Sequence, residues 1–278
     1  MWATEADLPE VKTFLNRHVV RSMFPLANLN QHGLNGVHPR APSFWLTRSD
    51  GKITGVLSVT QEGMLMPQCP LTDWTGAAEA LEDRDLIGII GPADQARSLQ
   101  SALGLKAAPS TLDHDEPQYE LALENLVIPE GTGQIVPLAD ADREEMIAWR
   151  KAYDIEALNT PEDQAGPIAT RDYENYVANQ SHVTLMDGET ALCTTGFNAR
   201  LPDIVQIGGV YTPLELRSNG HARRAVALHL HQAKQQGVTR ATLFSANENA
   251  SRAYQAIGFT YIGQWTICLF NGKQRAHV

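Results

Sequence analysis

The stretch from residue 204 to residue 259 constrains the fold more than any other part of the chain. It opens with an apolar, β-branched run, 204–210, passes through a polar loop and continues in a helical pattern that stops at Gly237. Small and apolar residues recur along one face of that helix, at the spacing that packs a helix against a sheet: Ala222, Ala225, Val226, Leu230 and Ala233. A second β-rich run, 239–246, follows. This order predicts a strand, a loop, a helix and a second strand, so the loop joins a strand end to a helix start.

The loop at residues 217–222 suits an anion. The first N–H groups of a helix have no partners within the helix, and the helix dipole makes that end positive. Gly220 has no Cβ, so it can adopt a positive φ and let a ligand approach the backbone. Arg217 can add a bidentate, charge-assisted contact. We therefore predict that this turn binds a pyrophosphate. The alternative is a surface loop whose helix is capped by Asn219 and followed by solvated arginines.

Two segments of this stretch resemble the GNAT superfamily of acyl-CoA-dependent N-acyltransferases. The family's acyl-CoA signature is Gln or Arg, two variable residues, Gly, one variable residue, and Gly or Ala; Arg217, Gly220 and Ala222 occupy the fixed positions. Residues 247–259 resemble the family's helix that carries a tyrosine and closes in Gly-Phe, with Tyr254 at the tyrosine position. Both segments follow the predicted strands in the order that the family uses.

The resemblance implies acetyl-CoA as co-substrate and no metal. In this family the strands flanking the helix splay apart, and pantetheine enters the gap and pairs with the first strand. Backbone groups of Val210 and Thr212 are the candidates for that pairing, although the side chains of Val210 and Tyr211 can equally be sheet core. Asn249 is the candidate for the CoA arm, with Asn247 as a helix cap. The predicted acyl-CoA-binding residues are Val210, Tyr211, Thr212, Arg217, Ser218, Asn219, Gly220, His221, Ala222, Arg223 and Asn249.

Acetyl transfer to an amine requires that the amine lose a proton, that the oxyanion meet a donor and that the thiolate gain a proton. Tyr254 matches the proton donor of the family, and the alternative is a tyrosine that only packs its ring. The oxyanion donor is expected to be a backbone N–H near Val210. No acidic residue lies on the strand before the loop, and Asp203 and Glu215 lie outside that strand, so no residue is assigned as the general base for the amine. Proton transfer through water held by backbone carbonyls is an alternative.

We therefore expect an acyl-CoA-dependent N-acetyltransferase that works by direct attack in a ternary complex. Its acceptor would be a small-molecule or peptide amine whose identity the sequence does not give. The alternative from another class is a non-catalytic CoA-binding or protein-interaction module, and a longer acyl donor than acetyl also stays open. Oligomeric state cannot be read from the sequence.

Net charge and composition exclude some classes of binding partner. The net charge of −10 disfavours nucleic acid and anionic membranes. No apolar run approaches the roughly 20 residues of a membrane span, and charges interrupt the N-terminus, so we expect a cytoplasmic protein. Three scattered cysteines, Cys69, Cys193 and Cys268, argue against a disulfide framework and a zinc site. His229 and His231 lie two apart on a helix and face different ways.

The length of 278 residues suggests two domains. Breaker-rich residues 129–133 form the expected linker between a degenerate GNAT-like domain, 1–128, and a GNAT acetyltransferase domain, 134–278. Residues 91–95 of the first half lack the Arg and second Gly of a phosphate loop. The predicted fold class is α/β, with a mostly antiparallel mixed sheet flanked by helices in each domain.

The remaining elements follow from periodicity and turn residues. A hairpin is expected around Ser49-Asp50-Gly51 and another through residues 187–189, and residues 159–167 are expected to form a loop. Expected helices are 7–20, 25–32, 73–81, 92–104, 139–159 and 170–179. Expected strands include 64–68, 85–91 and 117–128, and residues 259–270 are expected to form two separate β runs.

Overall fold

The computed structural model describes residues 1–277 and divides the chain into two compact units. Unit 1 comprises Met1–Glu116 and the residues from Gly263 onward, and unit 2 comprises Pro117–Ile262. These limits differ from the predicted domain limits at both ends. The physical reason is strand pairing, because residues 118–122 pair with a strand of unit 2 and residues 265–269 pair with a strand of unit 1.

Unit 1 consists of a meander preceded by two helices and followed by a strand and a helix. Its elements are α1 (Leu8–Arg17), α2 (Met23–His32), β1 (Pro42–Ser49), β2 (Lys52–Thr60), β3 (Met64–Gln68), α3 (Ala77–Leu81), β4 (Leu86–Pro92) and α4 (Ala93–Ala102). Two long strands, β5 (Ser110–Ala122) and β11 (Thr260–Gln274), run from one unit into the other along the chain.

The sheet of unit 1 has the order β1-β2-β3-β4-β11. All neighbouring pairs are antiparallel except β3 and β4, which are parallel. The β1–β2 turn has positive φ at both Asp50 (50°) and Gly51 (76°), as a two-residue hairpin turn requires. The core packs around the buried side chains of Trp45, Leu65 and Leu99.

Unit 2 alternates helices and strands. Its elements are β6 (Gln134–Pro137), α5 (Arg143–Leu158), α6 (Glu162–Ala178), β7 (His182–Asp187), β8 (Thr190–Arg200), β9 (Ile204–Tyr211), α7 (His221–Gln235), β10 (Arg240–Phe244) and α8 (Glu248–Gln255). Short 3-10 turns occupy Glu5–Asp7, Val19–Arg21, Leu123–Asn125, Leu138–Asp140 and Leu214–Leu216.

The sheet of unit 2 has the order β5-β10-β9-β8-β7-β6, with β9 and β10 parallel and the other pairs antiparallel. Helix α7 packs on it through Ala225, Val226, Leu230 and Ala233, which are buried. These four residues lie on the predicted face, and the predicted fold class of mixed sheets flanked by helices is confirmed. Among residues 1–277, no helix combines the length and apolarity that a bilayer crossing needs.

Four sequence-based elements were wrong in extent. Helix α6 begins at Glu162 and runs through Pro167, where a loop was expected, because the helix buries Ala165 and Ala169 against the rest of unit 2. Helix α3 has only five residues, after Gly76 at φ 79°. Strand β5 begins at Ser110, and residues 123–125 turn in a 3-10 helix. The final two β runs are one strand, β11, with a register shift after Leu269.

Candidate active site

Strands β9 and β10 part after a short parallel ladder. Their pairing runs from Arg240 with Ile204 to Leu243 with Ile207. Strand β9 continues for four more residues, Gly208 to Tyr211, which pair only with β8 among the described residues. The other edge of this four-residue segment therefore carries backbone groups without a strand partner, and their pairing with pantetheine stays a prediction. The segment is half-buried, unlike the buried first half of the strand.

A β-bulge redirects this part of β9. Thr194 pairs with Tyr211 and Gly196 with Gly208, so β9 holds one residue more than β8 between these pairs. Gly209 lies in the bulge with φ +61°, and a Cβ built on it would lie 2.8 Å from Nε2 of His182. Both the backbone angle and the close approach require glycine here.

The loop before α7 leaves its amides available. Ser218 has φ +66° and Gly220 has φ +82°, and α7 begins immediately afterwards. The first helical hydrogen bond is donated by the N–H of Arg224 to the carbonyl of Gly220, at 3.1 Å. Within residues 1–277, the backbone N–H groups from 218 to 223 have no hydrogen-bond partner. A concave run of free N–H groups at a helix start is an anion-binding arrangement.

Arg217 is held against α5. Its guanidinium makes a bidentate ion pair with Glu156, with both N–O distances 2.7 Å, and its Nε donates to the carbonyl of Thr212 at 2.9 Å. The hydrogen bond from Arg217 lowers the pKa of Glu156. In this arrangement Arg217 fixes the loop to α5 and to the end of β9, and its contact with phosphate stays a prediction.

Arg223 is the cation that lies over the loop. Its Nε would be 3.1 Å from a Cβ built on Gly220, and its side chain is exposed without an ion-pair partner in the described chain. Asn219 donates through Nδ2 to the carbonyls of Leu216 (3.2 Å) and Arg217 (3.3 Å), so it braces the loop. The alternative in which Asn219 caps α7 was wrong, because Gly220 is the cap residue. Ser218 is exposed, and His221 and Ala222 are half-buried.

Arg224 is not a solvated charge. Its three guanidinium nitrogens donate to the carbonyls of Pro129 (2.6 Å), Thr132 (2.7 Å) and Gly133 (3.2 Å). The segment expected to be a linker is therefore tied to the first turn of α7.

Tyr254 lies in the apolar cluster between α7, α8 and the parting strands. It is 7 % exposed and shares the cluster with Ile207 of β9 and Leu243 of β10. Its ring meets that of Phe259 edge-on, at 6.1 Å between centroids. The packing role of the ring is therefore present in the structure. The proton-donor role stays a prediction.

Helix α8 begins with the cap that the sequence suggested. Oδ1 of Asn247 accepts from the N–H of Ala250 at 2.9 Å. Asn249 is exposed and its side-chain oxygen accepts from Arg252. The role of Asn249 in binding the CoA arm therefore has no support from its contacts, and it stays a prediction.

A small cleft opens in unit 2 beside the bulge. Its lining residues are Leu138, Met146, Arg150, Tyr153, Tyr173, Tyr176, His182, Thr194, Gly209 and Tyr211. Sequence reasoning had singled out only Tyr211 of these. One sequence signal could have indicated this lining. Two pairs of residues are spaced three apart on helices and so share a helix face: Arg150 with Tyr153, and Tyr173 with Tyr176.

A buried charge cluster backs this cleft. Arg150 donates through Nη2 and Nε to Asp172, at 2.7 Å and 3.2 Å. Its Nη2 is also 2.9 Å from Oδ1 of Asp154, in an ion pair whose geometry does not form a hydrogen bond. The guanidinium lies over the rings of Tyr153 (4.9 Å) and Tyr176 (5.4 Å). Burial raises the pKa of Asp154 to about 6 against the opposing charge of Arg150.

His182 enters the cleft from the start of β7. It is 4 % exposed and stacks on Tyr176 at 3.5 Å between ring centroids. Its Nδ1 is 2.9 Å from Oγ of Ser181, and its Nε2 has no hydrogen-bond partner among the described residues. Within the described chain, no three His, Cys, Asp or Glu side chains are grouped as a metal site requires.

Residues 143–259 match the model of the acetyltransferase (GNAT) family. This region is a GNAT domain. The match spans α5 to Phe259 and so includes the loop, the parting strands and most of the cleft. A search of curated proteins found no match.

Solved structures share the fold at low sequence identity. A GNAT-family acetyltransferase from Colwellia psychrerythraea is 14 % identical, with 93 % of this chain and 97 % of that chain covered and a TM-score of 0.52. A GCN5-related N-acetyltransferase from Kribbella flavida is 16 % identical, with 92 % and 95 % covered and a TM-score of 0.53. A tandem GNAT protein from the clavulanic acid biosynthesis pathway is 13 % identical, with 86 % and 84 % covered and a TM-score of 0.50. Because these similarities extend over both units, the N-terminal half is also GNAT-like by fold.

Proposed function

We propose that the protein is an N-acetyltransferase that moves the acetyl group of acetyl-CoA to an amine by direct attack in a ternary complex. One observation carries the proposal. The free amides of residues 218–223 and the open edge of β9 lie on either side of the same connection, inside the region that matches the family. A diphosphate fits the first feature, and an extended amide-containing arm fits the second.

The free amides, together with Arg223, would hold the diphosphate, and the backbone of Val210 would pair with pantetheine. Acetyl-CoA supplies an activated acyl group as a thioester. The carbonyl of Thr212 already accepts a hydrogen bond from Arg217, so Thr212 would pair with pantetheine through its N–H. Tyr254 would protonate the departing sulfur, and a backbone N–H near Val210 would meet the oxyanion.

The acceptor would enter through the cleft at the bulge, on the side of β9 that faces α5 and α6. The aromatic lining of Tyr153, Tyr173 and Tyr176 suits a small molecule or a peptide end with an apolar body. Use of acetyl-CoA would place the protein in the cytoplasm.

The second candidate is a CoA-binding module without catalysis. Two observations favour it: the signature arginine Arg217 is engaged by Glu156, and no carboxylate lines the cleft among the described residues. Binding of acetyl-CoA without turnover would support this candidate.

Calorimetry with acetyl-CoA and a thiol-release assay with a panel of amines test the proposal. R223A is expected to weaken acetyl-CoA binding about 3- to 10-fold, since an exposed charge-assisted contact is worth about 1 kcal/mol. K234A removes the same charge from the other end of α7 and should leave binding unchanged. Absence of binding heat and of thiol release with every amine would refute the proposed enzyme.

A further inference from the structure

We infer that His182 and Ser181 form a proton relay that takes a proton from the acceptor amine in the cleft and releases it to solvent. This inference rests on the proposed function and supplies the base that the sequence did not reveal. No acid lies on β9, and among the described residues the titratable side chains that line the cleft are Arg150, His182 and four tyrosines.

The first end of the relay is Nε2 of His182. This nitrogen is buried without a partner, and it lies against Gly209, since a Cβ there would approach it to 2.8 Å. A buried polar atom without a partner is costly, and it calls for a ligand group in the cleft. Gly209 neighbours Val210, near which the backbone N–H proposed as the oxyanion donor lies. An amine attacking at this point of β9 would therefore place a hydrogen near Nε2.

The second end is Oγ of Ser181, 2.9 Å from Nδ1. Ser181 is half-exposed, whereas His182 is buried. The ring of Tyr176 stacks on the imidazole at an interplanar angle of 15°, which fixes its plane. With Nδ1–H donating to Oγ, Nε2 carries the lone pair that would accept the amine proton beside Gly209, which lines the cleft.

The surroundings keep the imidazole uncharged. Burial is the largest influence and sets the pKa of His182 well below its usual range, with Arg150 of α5 and His229 of α7 acting in the same direction. Tyr176 of α6 faces the ring, and burial raises the pKa of its hydroxyl, so it is uncharged. A relay suits this environment, because it passes a proton without keeping the positive charge.

The amine nitrogen forms the C–N bond to the acetyl carbon, and the C–S bond breaks with its electron pair going to sulfur, which takes a proton from Tyr254. The Tyr254 phenolate takes a proton back from water, which balances the proton that leaves through Ser181. The nitrogen gives one proton to Nε2, the Nδ1 proton passes to Oγ of Ser181, and the serine proton passes to water. The ring ends as its other neutral tautomer and returns by exchange with solvent. No oxidant or reductant is involved.

This arrangement selects the acceptor. An uncharged imidazole cannot remove a proton from an alkylammonium ion efficiently. The acceptor therefore enters as a free amine, so weakly basic amines such as hydrazines and arylamines are better substrates than alkylamines of the same size.

The test is kinetic, with wild type, H182F, S181A and H229F assayed for thiol release. H182F keeps an aromatic ring against Tyr176 and should lose at least about 100-fold in kcat, while S181A should lose about 3- to 10-fold. H229F is the matched control, because His229 is also buried, with an unpartnered Nδ1 and a ring stacked on Phe197 at 3.8 Å, but it does not line the cleft. Its kcat should stay within twofold.

Chemical rescue and pH profiles separate catalysis from folding. H182A should regain activity on addition of imidazole, with acetyl-CoA affinity unchanged. Over roughly pH 6–9, the wild-type rate should rise with pH for an alkylamine and stay level for an arylamine. The inference is overturned if H182F retains kcat within threefold, or if rescue fails in folded H182A. Acetyl-CoA binding by wild type without any turnover would instead refute the proposed function, and the relay with it.

Discussion

Replacing Gly220 by alanine separates the strain of a backbone conformation from the loss of an anion site. Gly220 has φ +82° and Gly237, at the other end of α7, has φ +94°. Alanine at either position enters the left-handed region, which costs about 1–2 kcal/mol. A Cβ at Gly237 meets nothing within 4 Å, and one at Gly220 meets only the flexible Arg223, at 3.1 Å. The two variants should therefore lose similar stability, roughly 2–8 °C in Tm.

Their binding of acetyl-CoA should differ. The methyl group of G220A lies at the mouth of the free amides and pushes the guanidinium of Arg223 aside, whereas the methyl group of G237A lies beyond the C-terminal end of α7. We expect acetyl-CoA affinity to fall about 10- to 100-fold in G220A, which is about 1.4–2.7 kcal/mol, and to stay unchanged in G237A. Calorimetry gives Kd, and thermal unfolding without ligand gives the stability of both variants. Equal affinity in the two variants would show that the anion does not lie on this loop.

Three further substitutions test separate contacts. R224A removes three hydrogen bonds to backbone carbonyls and should lower the free energy of unfolding by about 1–2 kcal/mol. It should also speed proteolysis within residues 129–133, and R252A is the control. The free energy of unfolding of D154N should exceed that of wild type by about 2–3 kcal/mol at pH 8, and the difference should vanish by about pH 4. The reason is that the folded pKa of Asp154, about 6, lies above its unfolded value, so the carboxylate destabilises the fold only when it is ionised. Urea unfolding of both proteins across that pH range measures the difference. Y254F should lower kcat at least about 10-fold with acetyl-CoA affinity unchanged, measured by thiol release and calorimetry.

Each of these has an outcome that contradicts it. Unchanged proteolysis of R224A would mean that its contacts do not hold the segment. A stability difference between D154N and wild type that does not change with pH would remove the raised pKa as its cause. Full activity in Y254F would leave Tyr254 with a packing role alone.

The local parts of the site could be predicted from sequence because they depend on neighbouring residues. Gly220 indicated the positive φ at the start of α7, Asn247 indicated the cap of α8, and the apolar face of α7 followed from its period. In the same way, Ser49-Asp50-Gly51 marked a hairpin turn that depends only on the residues within it.

The missed parts depend on residues far apart in the chain. Arg217 meets Glu156 across 61 residues, and Arg224 meets the carbonyl of Thr132 across 92. His182 appeared as the first residue of a strand, and nothing beside it in the sequence indicates that β8 and β9 bring Gly209 against it. The first half of helix α6 was missed because Gly166 and Pro167 are typical of loops, while the burial that stabilises the helix comes from tertiary packing.

The pairing of β11 with β4 has a practical consequence for the design of truncated fragments. Trp265 to Leu269 supply the antiparallel neighbour of β4, although they come from the last tenth of the polypeptide. In a recombinant fragment that stops at residue 128, β4 would be an edge strand with unpaired backbone groups, and such an edge promotes self-association. Joining residues 263–277 to such a fragment through a short peptide bridge should restore solubility, so the first half is better obtained as a spliced polypeptide than as a simple truncation.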